Sequence, residues 1–158
     1  MKIYRFSPIK DEKELLNAVK YVTRQSVFLC KKTLGKTLPV KSLTIFSHYD
    51  HEYKKLFSLL KSMGKRFNEN NGPRIVLNNP IIIGKNKIEY LRIRKPDTYR
   101  MQTGCCDFIV DDYNDFKKTS LHRNKTNLRL IKRDEYEMIE FFDPDFDVLA
   151  YVVSKCIH

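Results

Sequence analysis

The chain has 158 residues, of which 42% are hydrophobic and 12% aromatic, enough to bury the core of one globular domain. Its 30 Lys and Arg against 19 Asp and Glu give a net charge of +11, which suits anionic partners such as nucleic acid or phosphorylated small molecules, or else a basic solvated surface without such a partner. No apolar run approaches the ~20 residues of a membrane helix and no CxxC pair is present, so we expect a cytoplasmic protein with reduced thiols and no membrane partner.

The N-terminal part, residues 1–41, predicts a short strand followed by a long amphipathic helix. Lys2–Phe6 is the predicted strand. Apolar residues then recur at helical spacing from Asp11 to Leu34, as one helix or as two helices that meet near Gln25–Ser26. Gly35 suits the left-handed cap at the end of this pattern. The helix has two interpretations: it packs against the following sheet, or it mediates assembly with a partner.

Residues 42–95 predict a strand, a helix and three further strands. Ser42–Phe46 is rich in β-branched and aromatic residues, which favours a strand. The helix that follows has Ser47 or Asp50 as its predicted cap and ends at Gly64. The three later strands are predicted at Arg74–Leu77, Ile81–Ile83 and Ile88–Arg94, the last two joined as a hairpin.

Residues 103–154 show the same order of elements after a polar linker, Lys95–Gln102. A strand at Cys105–Val110 leads into a helix that begins after Asp111–Asp112. Three β-rich runs follow, and the last two are separated by Asp143-Pro144-Asp145. The sequence HEYKK in the first half also aligns with NDFKK in the second.

These patterns predict a single α+β domain, residues 1–158, made of tandem β-α-β-β-β modules. The first module is 42–95 and the second is 103–154, and together they are expected to form a curved, mixed or antiparallel sheet. Residues 1–41 are then an added N-terminal extension.

Two segments of the second module, CCDFIVDDY and EMIEFFDPDFDVLAYV, carry a resemblance to a known family. With the module order, they resemble the vicinal oxygen chelate superfamily of glyoxalase-like and bleomycin-resistance-like proteins. The resemblance implies a ligand cleft between paired modules. The family's metalloenzymes place a His on a module's first strand and a Glu on its last, where this chain has Cys105 and Ala150, with Ser42 at the His position of the first module. Because these side chains cannot reproduce imidazole and carboxylate ligands, the resemblance implies no metal centre, and we expect no cofactor.

Three groups of side chains are candidates for chemistry. His48 and His51, spaced i,i+3 near a helix start, suit a metal or phosphate site, or simply flank a helix cap. Cys105 or Cys106 would be a nucleophile if its thiolate were stabilised, and a small hydrophobe otherwise. Several acids suit either of two roles, a general base or a capping and surface residue: Asp107, Asp111, Asp112, Glu137 and Glu140.

A basic run interleaved with tyrosines is the main candidate binding site. Arg92 and Arg94 share one strand face with Tyr90, and arginine binds phosphate or carboxylate in a bidentate manner. With Tyr99 and Arg100, these residues predict binding, or metal-independent processing, of an anionic small molecule.

The alternative to a small-molecule site is a nucleic-acid surface. Its predicted residues are Arg92, Arg94, Lys95, Arg123, Lys125, Arg129, Lys132 and Arg133. A further interpretation is a solvated strand edge that positive charge protects against aggregation. A homodimer is compatible with paired modules of this kind.

Overall fold

Helices and strands alternate along the chain to give an α+β fold, as the sequence predicts. The computed structural model describes residues 4–69, 72–124 and 126–155. The helices are α1 Glu12–Leu34, α2 Asp50–Met63 and α3 Tyr113–Arg123. The strands are β1 Val40–Phe46, β2 Gly64–Glu69, β3 Pro73–Ile83, β4 Asn86–Arg94, β5 Gly104–Phe108, β6 Leu128–Lys132, β7 Glu137–Phe141 and β8 Val148–Val153.

All eight described strands belong to one mixed sheet, in the order β2-β3-β4-β1-β5-β8-β7-β6. Strand β1 is parallel to β4, and β5 is parallel to β8. The other neighbours are antiparallel, including β1 and β5 at the centre of the sheet. Strands β2 and β6 form the two edges, so the sheet is not closed.

Helix α1 is continuous and covers the centre of the sheet. The Asp11 side chain caps it by accepting a hydrogen bond from the Glu14 backbone N–H at 2.8 Å, and Gly35 ends it in the left-handed conformation with φ 74°. The helix packs against β1, β5 and β8 and buries an apolar stripe that includes Leu15, Val22 and Leu29. Burial of this stripe supports the interpretation of α1 as a packing helix.

None of the described helices combines the length and the apolar character that a membrane span requires.

The two faces of the sheet have different roles. All three helices contribute to one apolar cluster with alternate strand residues such as Leu43, Leu91 and Cys106. The residues between them point to the opposite face, because neighbouring strand residues alternate. On that face a much smaller cluster of Phe46, Cys105 and Leu149 is buried. The helices therefore leave this second face available for a site.

Several predicted boundaries were wrong. The predicted strands Arg74–Leu77 and Ile81–Ile83 are one strand, β3, because a register shift between Val76 and Ile81 absorbs the Asn-Asn-Pro sequence. Strand β2 was missed, since its exposed polar residues follow α2 without a turn signal. Residues 4–6 form bends rather than a strand, and Lys2 and Ile3 lie outside the described residues.

The predicted cap of α2 was also wrong. The residue before the helix is Tyr49, whose side chain makes no capping hydrogen bond, and Asp50 is already helical. The Ser47 hydroxyl donates instead to the Arg94 carbonyl oxygen. The Glu52 carboxylate satisfies the helix start by accepting a hydrogen bond from the His48 backbone N–H at 2.6 Å.

Candidate functional site

The face of the sheet opposite the helices carries a row of polar side chains. Arg92 and Arg94 project there from β4, alternating with Leu91 and Ile93 of the core. In the strand register Arg92 lies beside Thr44 of β1, and Thr44 lies beside Cys105 of β5. The regular alternation of β4 thus directs two arginines to the centre of this face.

These side chains line a cavity of about 660 Å³. Five arginines contribute to its wall: Arg74 from β3, Arg92 and Arg94 from β4, Arg100 from the segment between β4 and β5, and Arg133 from the β6–β7 turn. Arg74 is only 1% exposed and lies opposite Arg92 in the antiparallel β3–β4 pair. The cavity therefore concentrates positive charge in a buried place.

The guanidinium groups of this wall are incompletely satisfied. Nε and Nη1 of Arg74, Nε and Nη2 of Arg92, and Nε of Arg94 are buried without a hydrogen-bond partner in the described part of the chain. Such unpaired buried donors are costly, because each has lost its water without gaining an acceptor. An anion bound in the cavity would supply those acceptors.

One carboxylate, Asp107 of β5, lies among these arginines. Its Oδ2 is 3.6 Å from Nη2 of Arg74, which is an ion pair but too long for a hydrogen bond. Burial raises the pKa of Asp107, while the charges of Arg74 and Arg92 oppose that rise. Burial also lowers the pKa of Arg92, and repulsion from Arg74 lowers it further. Even with Asp97, which pairs with Arg94, two carboxylates face the four arginines of β3, β4 and the β4–β5 segment, so this cluster keeps excess positive charge.

Arg94 is held in place by two contacts. Its Nη2 donates to Oδ2 of Asp97 at 3.1 Å, and its guanidinium lies 4.8 Å from the centre of the Phe46 ring. Asp97 also accepts a hydrogen bond from the Tyr99 backbone N–H at 2.9 Å. This turn fixes the segment that carries Arg100 to the cavity.

The opposite side of the cavity combines apolar and aromatic side chains with a turn, residues 132–135, that carries two charges of each sign. Met138 of β7 and Tyr151 and Val153 of β8 line it, together with Tyr136 from the β6–β7 turn. The Tyr151 hydroxyl donates to Oε2 of the fully buried Glu140 at 2.9 Å. Glu140 also pairs with Arg129, so its carboxylate and the Tyr151 hydroxyl have partners within the protein.

Of the predicted small-molecule residues, Arg92, Arg94 and Arg100 lie in the cavity wall and two tyrosines do not. The Tyr90 ring lies beside Phe67, with ring centres 5.4 Å apart, and 5.7 Å from the Lys41 ammonium nitrogen. Tyr99 is 92% exposed. Stacking of a ligand inside the cavity therefore does not involve these tyrosines.

The residues predicted for nucleic acid are distributed over several surfaces. Lys132 and Arg133 line the cavity and also a neighbouring pocket of about 430 Å³. Arg123 ends α3 on the helical side of the sheet, and Arg129 is paired with Glu140. Lys95 is exposed beside the linker. Lys125 lies outside the described residues.

The cysteines are unsuited to nucleophilic chemistry. Cys105 faces the cavity, but burial raises the pKa of its thiol to about 12, so it is protonated at neutral pH. Cys106 points into the core among the helices, and burial raises its pKa as well. Both behave as small apolar residues.

The two histidines do not converge. Nδ1 of His48 is 2.7 Å from the Ser7 hydroxyl, and its Nε2 is 3.0 Å from the Gln102 carbonyl oxygen. His51 is exposed, with its ring beside that of Tyr49. Within residues 4–69, 72–124 and 126–155, no three His, Cys, Asp or Glu side chains are grouped to hold a metal ion.

Among the candidate acids, Asp107 alone lines the cavity. Asp112 caps α3 by accepting a hydrogen bond from the Asp115 backbone N–H at 2.9 Å, and Asp111 is exposed next to it. Glu137 accepts hydrogen bonds from Lys117 at 2.5 Å and from the Tyr113 hydroxyl at 3.1 Å. Glu140 is occupied by Arg129 and Tyr151 as described above.

One assignment from the family resemblance was wrong. Ala150 pairs with Cys106 and belongs to the core among the helices, so it cannot correspond to a ligand position in the cavity. The β8 side chains that face the cavity are Tyr151 and Val153. A match shifted by one residue moves every side chain of a strand to the other face.

Sequence reasoning missed Arg74, the most buried charge of the site. The arginine stands at the start of a short apolar run, PRIVL, where a charged residue is unusual in a buried strand. Its pairing with Arg92 depends on the β3–β4 register, which was not predicted.

Comparison with known proteins adds information about the fold alone. No protein-family model matches the sequence, and a search of curated proteins gives no match. A solved structure described as "Structural Genomics, Protein EC4020" superimposes with a TM-score of 0.65 at 12% sequence identity, covering 96% of this chain and 93% of that one. The similarity thus extends over nearly the whole fold.

Proposed function

We propose that the protein binds an anionic small molecule in the cavity formed by Arg74, Arg92 and Arg94. The observation that carries this proposal is the burial of Arg74, 1% exposed, with Nε and Nη1 unpaired. Buried guanidinium donors that lack acceptors are unfavourable unless something offsets their lost hydration, and an anionic ligand does so. Planar guanidinium groups suit carboxylate and phosphate, which accept two parallel hydrogen bonds.

The size and position of the cavity support the same function. Its volume of about 660 Å³ lies in the range of small-molecule sites, which is roughly 300–1,000 Å³. It lies on a face that no described helix covers, so a ligand can reach it. Whether the bound molecule is also processed depends on a reactive group, and Asp107 is the candidate general base that lines the cavity.

We also propose that the chain consists of two related modules of the vicinal oxygen chelate type. Helices α2 and α3 begin at Asp50 and Tyr113, and Ser42 and Cys105 have the same separation of 63 positions on β1 and β5. In each half the first strand is parallel to the last. This regular correspondence supports an internal repeat. A homodimer of the whole chain is a separate prediction, which sedimentation velocity tests by measuring the mass of the particle in solution.

Isothermal titration calorimetry with inorganic phosphate and small carboxylates tests the binding proposal. We expect saturable binding by the wild type and a loss of at least about tenfold in affinity for Arg92→Met, because a charged hydrogen bond contributes roughly 1.5–3 kcal/mol. The matched control is Arg123→Met, which removes the same charge from the end of α3. Absence of anion binding at low salt, or equal losses in both variants, would contradict the proposal.

Nucleic-acid binding is the alternative that the same variants separate. A basic nucleic-acid surface loses affinity steeply with salt and loses a similar amount for each phosphate contact removed. Arg92→Met and Arg123→Met would then weaken binding of a short oligonucleotide alike. The dispersal of the predicted basic residues over both faces gives this alternative less support than the cavity gives to a small anion.

A further inference from the structure

The two sides of the cavity differ in chemistry although corresponding strands build them. Strand β4 is the parallel partner of β1 and contributes Arg92 and Arg94, whereas β8 is the parallel partner of β5 and contributes Tyr151 and Val153. Met138 lies beside Val153 in the β7–β8 pair and faces the same space. One side is therefore cationic, and the other is formed by aromatic and aliphatic groups.

On the side formed by β7, β8 and the turn between β6 and β7, no buried side-chain donor of the described residues lacks a hydrogen-bond partner. The buried carboxylate of this side, Glu140, already accepts hydrogen bonds from Arg129 and Tyr151. The turn at the rim carries two charges of each sign, so it adds no net charge; these residues are Lys132, Arg133, Asp134 and Glu135. The excess positive charge of the cavity is thus confined to the arginine side.

From this asymmetry we infer that the ligand is an amphiphilic anion: one carboxylate or phosphate group joined to an apolar or aromatic body. This inference rests on the proposed anion-binding function. The anionic group lies against Arg74, Arg92 and Arg94, and the body lies against Met138 and Val153. An inorganic anion would use the arginines but leave the apolar side in contact with water, whereas an organic body removes that surface from water and adds affinity.

A comparison of phosphate with phenyl phosphate tests the inference, because both carry nearly the same charge at neutral pH. By calorimetry we expect phenyl phosphate to bind at least about tenfold more tightly than phosphate, the gain expected from burying much of a ring. Met138→Gln should reduce the affinity for phenyl phosphate severalfold more than it reduces the affinity for phosphate. Met101→Gln is the control, since Met101 is 52% exposed and outside the lining.

A second measurement uses the unaltered protein, so it does not depend on how the variant folds. With ¹³C-methyl-labelled methionine, the ring current of bound phenyl phosphate should shift the Met138 methyl resonance, identified by its loss in Met138→Gln. Phosphate alone should leave that resonance in place. The Met63 methyl, on α2, serves as the internal control.

The outcomes separate the two proposals. Equal affinities for phosphate and phenyl phosphate, with no change at Met138, would overturn the amphiphilic ligand and leave anion binding intact. No binding of either compound would overturn both. Tight phenyl phosphate binding that shifts Met138 and is weakened by Arg92→Met is the expected result.

Discussion

Replacing Arg74 by methionine should make the ligand-free protein more stable and deprive it of anion binding. Arg74 is 1% exposed, and its Nε and Nη1 have no hydrogen-bond partner within the described residues. Methionine has a similar length, carries no charge and fills irregular spaces well. The substitution therefore removes an unsatisfied buried charge without creating a large cavity.

The expected magnitude follows from opposing terms. At 3.6 Å, the attraction between Arg74 and Asp107 is about 4–5 kcal/mol for an effective dielectric constant near 20, and the variant loses it. In return it avoids two unpaired donor nitrogens, Nε and Nη1, at about 1–3 kcal/mol each, the burial of the charge itself, and repulsion from Arg92. Asp107 keeps Arg92 as a neighbouring charge. We expect a net gain of about 1–2 kcal/mol in the free energy of unfolding.

Urea unfolding at constant ionic strength, with and without phosphate, measures both effects. Urea is chosen because guanidinium chloride would supply competing ions. Phosphate at about 100 times its Kd should stabilise the wild type by about 2.7 kcal/mol and the variant far less, reversing their order of stability. The control is Arg24→Met, at an exposed position of α1. A clear loss of stability in Arg74→Met without phosphate would refute the predicted gain. Equal stabilisation of both proteins by phosphate would refute the role of Arg74 in anion binding.

Three further predictions concern groups outside the arginine cluster. Glu52→Gln should lower the free energy of unfolding, measured in urea, by about 2–3 kcal/mol, because the buried carboxylate accepts hydrogen bonds from Ser7, Ile9 and His48. An unchanged free energy of unfolding would refute this role. Burial lowers the pKa of His48 below its usual 6.5, and the charge of Glu52 opposes this shift. Because the unfolded chain then binds more protons, the free energy of unfolding should fall as the pH drops below 6.5. His48→Gln should make this loss of stability less steep. In a Cys156→Ser background, the described cysteines should react with iodoacetamide at neutral pH only after unfolding, since burial raises their thiol pKa values; rapid labelling of the folded protein would contradict this.

The sequence predicted those parts of the fold that depend on local patterns. The spacing of apolar residues predicted helical structure from Asp11 to Leu34 and Gly35 was predicted to end it, because periodicity and caps are local signals; that the helix is continuous came from the structure. Alternation along IEYLRIR placed Arg92 and Arg94 on one face for the same reason. The α+β class followed from these elements.

The contacts that complete the site are non-local, and the sequence did not reveal them. Arg74 lies opposite Arg92 only because of the register between β3 and β4. A register shift separates this pair from the predicted hairpin, so the hairpin alone did not reveal it. Met138 reaches the cavity through the pairing of β7 with β8. Ala150 was placed in the site by a motif match that ignored which face of β8 each residue occupies.

The proposed binding function accounts for a difference between the two halves of the sheet. Arg92 lies beside Thr44 on the strand parallel to β1, and Tyr151 lies beside Asp107 on the strand parallel to β5. In the proposed repeat these two residues occupy corresponding positions. Tyr151 is satisfied within the protein by Glu140, whereas Arg92 retains unpaired donors. If stability were the only requirement, a satisfied or apolar side chain like Tyr151 would serve in both halves, since such groups cost less than buried charged groups with unpaired donors. The arginine side is therefore best explained by a partner that the polypeptide does not itself provide.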